Sequence, residues 1–210
     1  MAGGNSATTL HYVFNDQSLV DGDLVLVDAG AEYNYYTGDI TRVFPVNGKF
    51  SDVQKRLYNK VLDVQKKLVA MIKPGVTLKQ VSELSVKLLT EVMVDEKLLS
   101  GSVDENIKEE NFKKYYMHGF GHWLGMDVHD AGRTNEDGKS RAFEAGMCLT
   151  VEPGIYIPAA DESAPAELRG IGIRIEDDIL VTQFGNENMT EHVPKAVDEI
   201  EAIMSEHYRG

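Results

Sequence analysis

The chain has 210 residues, of which 42% are hydrophobic and 26% charged, and its formal charge is −13. That length suits one domain with a sizeable core, and that composition excludes a chain disordered throughout. The acidic balance argues against a nucleic-acid partner, which requires a basic surface to meet phosphate.

No apolar run reaches the ~18 residues of a membrane span. The opening "MAGGNSATTLHY" lacks the basic region and apolar core of a secretory signal. A single cysteine, Cys148, rules out an intramolecular disulfide and reads as a buried thiol in a reducing compartment.

In chain order, residues 9 to 46 read as strands. Leu24 to Asp28 is an apolar run after Asp21-Gly22-Asp23, and Tyr33 to Val46 is rich in aromatic and β-branched residues. Gly30-Ala31-Glu32 reads as the turn between them. Ser51 with Gln54 forms a capping box that opens a helix. Val53, Leu57, Val61, Val64, Leu68 and Met71 or Ile72 follow at helical spacing, and Pro74-Gly75 stops it. Thr77 with Gln80 opens a second helix to about Val94, with Val81, Leu84, Leu88 and Val92 as its stripe.

Residues 100 to 114 are charged and read as a loop with a short helix. "GMCLTVEPGIYI" and "GIGIRIEDDILVT" are the two clearest strands, and Ala196 to Tyr208 reads as a terminal helix. Asn188-Met189-Thr190 matches a glycosylation sequon, by chance when no secretion signal is visible. The order of elements is that of an α+β domain, a mostly antiparallel sheet backed by helices.

Several polar side chains stand where strands should be apolar. Asp28 ends "LVLVDAG", Asp39 lies in "YTGDITR", His122 in "HGFGHWLG", Glu152 ends "CLTVEPG" and Glu176 lies in "GIGIRIEDD". Singly, each reads as a cap, a solvated charge or a satisfied core histidine. Together they cannot be tolerated bare, because two carboxylates about 4 Å apart repel by roughly 4 kcal/mol at an effective dielectric near 20. Such acids take up protons or bind cations. Two divalent ions balance four carboxylates, and hard oxygen donors with one imidazole suit Mn²⁺ or Co²⁺ better than a thiolate zinc site. Gly119, Gly121 and Gly125 miss the phosphate-loop spacings.

Five stretches in this order closely resemble the aminopeptidase P and prolidase family: "LHYVFND", "LVDAGAEYNYYTGDITRVFPVNGKFS", "MHGFGHWLGMDVHD", "GMCLTVEPGIYIP" and "RGIGIRIEDDILVT". The resemblance covers nearly the whole chain, including the "NENMT" tail. It implies the pita-bread fold shared with methionine aminopeptidase, a curved and mostly antiparallel sheet backed by helices.

Carried over by motif, the family's metal ligands fall on Asp28, Asp39, His122, Glu152 and Glu176. Asp28 would serve one ion, His122 and Glu152 the other, and Asp39 and Glu176 would bridge. His118 and His129 match histidines that move protons, and His11 another that lines the pocket. Tyr156 matches a tyrosine beside the metals. Arg174, on the face of Glu176, is expected to orient that carboxylate or to fork onto substrate. Trp123 is expected in the core.

The resemblance implies an aminopeptidase with two divalent ions, Mn²⁺ first and Co²⁺ or Zn²⁺ as alternatives. It would release the N-terminal residue from peptides with proline second, through a hydroxide shared by the ions. A prolidase acting on X-Pro dipeptides, an inactive fragment and a peptide-binding module of the same fold are the alternatives.

The chain begins near the "LHY" stretch, so residues 1–210 are expected to form a catalytic domain truncated at its N-terminus. Missing are the family's N-terminal domain and the catalytic domain's opening helices. That loss would expose an apolar face of the sheet and favour a homo-oligomer. Peptides, rather than nucleic acid or membrane, are the expected partners. Localisation is expected in the cytoplasm, with the mitochondrion as the alternative.

Overall fold

The fold is built on antiparallel pairing throughout. The computed structural model describes residues 1–207, with side chains through Glu206. A short strand β1 (Ala2–Gly3) leads into a 3₁₀ turn at Gly4–Thr8. Then come β2 (Leu24–Ala29), β3 (Glu32–Tyr33), β4 (Tyr36–Thr37) and β5 (Ile40–Pro45). Helices α1 (Asp52–Met71), α2 (Leu78–Asp95) and α3 (Val103–Lys108) precede a small hairpin of β6 (Asn135–Glu136) and β7 (Lys139–Ser140). The chain continues through β8 (Cys148–Val151), β9 (Gly154–Ile157), β10 (Ile171–Arg174), β11 (Asp177–Val181) and β12 (Asn186–Asn188) to helix α4 (Val197–His207). Tyr208, the last residue of the expected terminal helix, lies outside the described residues.

Three antiparallel groups make the sheet: β1-β2-β5, β9-β10 and β8-β11-β12. Both capping boxes form as expected. Ser51 and Thr77 accept from the backbone of Gln54 and Gln80, whose side chains return to the cap N–H groups. Helix α1 buries Leu57, Val61, Val64 and Leu68 against the sheet, with Ile72 just beyond its end. Among the described residues, no helix is long and apolar enough to cross a membrane.

The structure corrects several sequence expectations. Residues 9–23 are irregular rather than strand, with Asn15 at φ 50°, a left-handed value that breaks an extended chain. The chain reverses at Asn34-Tyr35, both at positive φ, rather than at Gly30-Ala31-Glu32. "GMCLTVEPGIYI" and "GIGIRIEDDILVT" each split in two, and the second breaks at Ile175-Glu176. On α2 the buried seam is Val81, Ser85, Leu89 and Met93, while Leu84, Leu88 and Val92 flank it half-buried. Ser85 belongs in that seam because its hydroxyl pairs with the buried Tyr116 hydroxyl at 3.0 Å.

Cys148 is half-buried, and burial pushes its thiol up to about 11. Trp123 packs at the edge of the core, its ring meeting Phe143 edge-on. The expected bare apolar sheet face is not seen. Leu24, Leu26, Val43, Ile155 and Ile173 are all buried, and the 3₁₀ turn at Gly4–Thr8 packs across β10 and β2. The exposed apolar side chains sit mostly in loops and turns, among them Val13, Phe14, Tyr35 and Phe184, and on the small β3–β4 hairpin at Tyr33 and Tyr36.

Leu68 on α1 has no solvent exposure. Leu68→Ala should therefore lower the unfolding free energy by about 2–5 kcal/mol in urea titration, through lost burial and the cavity left behind.

Candidate metal centre

Each polar side chain out of place in the sequence is delivered by a different piece of backbone. Asp28 lies near the end of β2, directly opposite Thr41 of β5. Asp39 immediately precedes β5, and its N–H donates to Asp178 Oδ2 at 3.1 Å. The approach to Asp39 requires glycine at position 30, where a Cβ would stand 1.6 Å from the Gly38 carbonyl oxygen. His122 sits in an extended segment bonded along β8, where Thr150 N donates to its carbonyl at 2.9 Å and Glu152 N to that of Phe120 at 2.7 Å. Gly121 allows this contact, since a Cβ there would lie 1.9 Å from the Thr150 carbonyl oxygen. Glu152 follows β8, and Glu176 occupies the break between β10 and β11.

These groups line one cavity of about 240 Å³ together with His11, His118, His129 and Arg174. Of the site residues expected from the sequence, only Tyr156 lies behind the wall, fully buried. Donor atoms of Asp28, Asp39 and Glu176 fall within 4.8 Å of one another, as do those of His122, Glu152 and Glu176. Asp39, His122 and His129 form a third such set, so Asp39, His122 and Glu176 each belong to two. Asp39 also approaches His122, Oδ2 to Nε2, at 3.5 Å. His122 Nδ1 lies 3.0 Å from the Trp123 carbonyl, which can only accept, so Nδ1 carries the proton and the Nε2 lone pair faces the cavity.

The electrostatics are those of crowded anions. Burial, then the charges of Glu152 and Asp39, holds the Glu176 carboxyl well above the usual range. Burial likewise raises Asp28, and lifts Glu152 to about 7 although His122 and Arg174 oppose it. Burial opposes a charge on His122, but its bond to Asp39 raises it overall. This donor set fits a pair of divalent cations. Four carboxylates would bring −4, the oxygen donors are hard, and the three-donor groups overlap through Asp39, His122 and Glu176.

A second layer fixes the first. Arg174 Nη2 donates to Asp28 Oδ2 at 2.6 Å, Nη1 to Tyr156 Oη at 3.1 Å and Nε to Thr41 Oγ1 at 3.1 Å. Thr41 Oγ1 in turn donates to Glu176 Oε2 at 2.5 Å. Arg174 thus reaches the Glu176 carboxylate through Thr41 and touches Asp28 directly. His118 Nδ1 donates to the Gly119 carbonyl at 2.8 Å, so its Nε2 accepts from Tyr156 Oη at 2.8 Å. Burial and then Arg174 pull the His118 imidazole down to about 4, keeping it neutral. The His129 ring stands at the rim, 4.2 Å from the His122 ring and 6.0 Å from the His11 ring.

Two partners escaped the sequence reading. Thr41 could have been found from strand alternation, two residues beyond Asp39. Asp178 holds the Asp39 backbone through a bond that no local pattern signals.

An open antiparallel sheet with four acids and an imidazole converging on one cleft has the make-up of a domain that could hold a pair of divalent cations. The model of metallopeptidase family M24 matches residues 1–183. The Xaa-Pro aminopeptidase of Haemophilus influenzae is 49% identical over 205 residues, 98% of this chain and 47% of that protein. The structure of Pseudomonas aeruginosa aminopeptidase PepP matches with a TM-score of 0.97 and 47% identity, over 100% of this chain and 47% of that one. Zn-substituted E. coli aminopeptidase P in complex with product matches with a TM-score of 0.92 and 47% identity, over 98% and 46%. The chain belongs to metallopeptidase family M24 and has its pita-bread fold. It spans about half the length of the curated relatives it matches.

Because Asp28, Glu152 and Glu176 bind protons more tightly folded than unfolded, against the opposite but smaller set of His118 and His129, the metal-free protein should lose stability as pH rises. Melting with chelator present should fall between an ordinary carboxylate pKa of ~4 and the raised Glu152 value. Circular dichroism melts across that window check the sign. A rising melting temperature would contradict the crowded-acid account.

Proposed function

We propose that this domain releases the N-terminal residue from peptides with proline in second position. Two divalent cations would be held by Asp28, Asp39, His122, Glu152 and Glu176, with Mn²⁺ the expected metal. The observation that carries this reading is the convergence of these five side chains from separate segments, with Glu176 shared by two donor groups. The relatives, Xaa-Pro aminopeptidases at 49% and 48% identity, support the reaction class over a prolidase or a binding module without turnover. Held by those five side chains, the cations would supply Lewis acidity and would lower the pKa of a bound water towards neutrality.

The chain's own groups supply the rest. Asp28 is anchored by Arg174 and faces the cavity beside His11, where a substrate amino terminus would sit. His129, exposed at the rim, has its pKa lowered by burial and by His122, and its ring stands where it could take or give a proton. His118 has both nitrogens committed, which makes it a donor-acceptor relay with Tyr156 rather than a free base. Arg174 holds the wall rigid by bonding three protein groups at once.

The test pairs metal content after dialysis with release of the first residue from an X-Pro-X tripeptide. Two ions per chain and cleavage are expected. Glu176→Gln or His122→Ala should lower turnover by ~10²-fold or more, the equivalent of several kcal/mol of cation-derived stabilisation. Metal uptake with no turnover on any X-Pro peptide would favour a binding role, and cleavage confined to X-Pro dipeptides would favour prolidase.

A further inference from the structure

The segment from Asn186 to Lys195 lies outside the cleft and contributes no side chain to its lining. Its Asn188-Met189-Thr190 triplet is committed internally. Asn188 Nδ2 donates to Asp177 Oδ2 at 2.9 Å and to Glu191 Oε2 at 2.7 Å, so the sequon amide is engaged within the fold. Thr190 Oγ1 donates to Asp177 Oδ1 at 2.8 Å, and Lys195 Nζ to Asp177 Oδ2 at 2.6 Å. Gln65 Nε2 of α1 adds a bond at 2.7 Å and Arg42 Nη2 of β5 another at 2.6 Å. Asp177 itself has no solvent exposure, and Arg42 and Lys195 have 2% and 6%.

Arg42 also faces the other way. Its Nη1 donates to the Glu176 carbonyl at 2.5 Å and to the Thr41 carbonyl at 3.0 Å. Thr41 is the residue whose hydroxyl holds the Glu176 carboxylate. A guanidinium is a rigid plane, so anchoring Nη2 on Asp177 fixes where Nη1 meets residues 41 and 176. Such a buried ionic cluster is a poor device for stability alone, since well-packed apolar side chains often do as well or better. It lies where the strand breaks, and there the Glu176 backbone is held between two neighbouring residues of β5, its N–H donating to the Thr41 carbonyl at 3.1 Å and its carbonyl accepting from Arg42.

We propose that Asp177, gripped by Asn188, Thr190 and Lys195, is a positioning residue for Glu176: through Arg42 it sets the angle at which that carboxylate enters the cleft. The "NENMT" tail is then part of the metal centre's support rather than a C-terminal appendage. The proposal rests on the two-cation reading of the cleft.

The experiment uses Lys195→Met, which keeps the stem and removes the ammonium, and the milder Thr190→Val, which removes one donor and keeps the shape. Leu89→Ala, in the buried α2 seam, provides a destabilised control. Mn²⁺ binding by titration calorimetry should weaken ~10-fold or more in the two variants and stay unchanged in the control. Crystals of the variants should show Glu176 displaced from Thr41. Variants that melt earlier, like the control, yet bind Mn²⁺ as wild type with Glu176 in place would overturn the proposal. If the wild-type chain takes up no Mn²⁺, the two-cation reading fails, and the Glu176 position in metal-free crystals still decides: retained in Lys195→Met, it rejects the positioning role, and displaced, it supports it.

Discussion

Mutual repulsion among carboxylates that share one small cleft is the constraint around which the rest of this domain is arranged. Asp28, Asp39, Glu152 and Glu176 face a cavity of about 240 Å³, and burial raises three of them, Glu152 to about 7. Left to itself, such a cluster would push its backbone segments apart. The fold instead ties each segment down with bonds independent of the cluster: the β2–β5 ladder under Asp28, Asp178 under Asp39, and β8 under His122 and Glu152.

The holding groups are graded by distance from the cleft. Arg174 contacts Asp28 directly and Glu176 through Thr41, while Tyr156 connects Arg174 to His118. Further back, Arg42 links the Glu176 backbone to the buried Asp177. Cation-bearing side chains thus alternate with acids from the interior outward. The arrangement partly offsets the acidic charge without placing a cationic side chain in bonding contact with the donor oxygens of Glu152 and Glu176. A site that must accept cations gains from this, because an ammonium in direct contact would compete for the same oxygens.

Local chemistry made much of the scaffold legible. The boxes at Ser51 and Thr77 fixed both helix starts, since a hydroxyl followed three residues later by glutamine satisfies orphan N–H groups wherever it occurs. The five candidate donors were visible as polar residues inside strand-like runs. Thr41, Asp178 and Asp177 were not, because a threonine in a strand or an aspartate after a glutamate is ordinary until its partner across the sheet is known. The strand break at Ile175-Glu176 was hidden for the same reason: alternation continues through it, and only long-range bonds from Thr41 and Arg42 show the change.

The sequence by itself determined the helix boundaries, the α+β class and, through five motifs in order, the family. The tertiary structure alone decided that Thr41 holds the Glu176 carboxylate, that Arg174 is anchored to Asp28 and Tyr156, and that the chain reverses at Asn34-Tyr35. Capping and periodicity act over a few residues and are written locally. Convergence of side chains some 150 residues apart depends on register and burial, which exist only once the sheet has closed over its core.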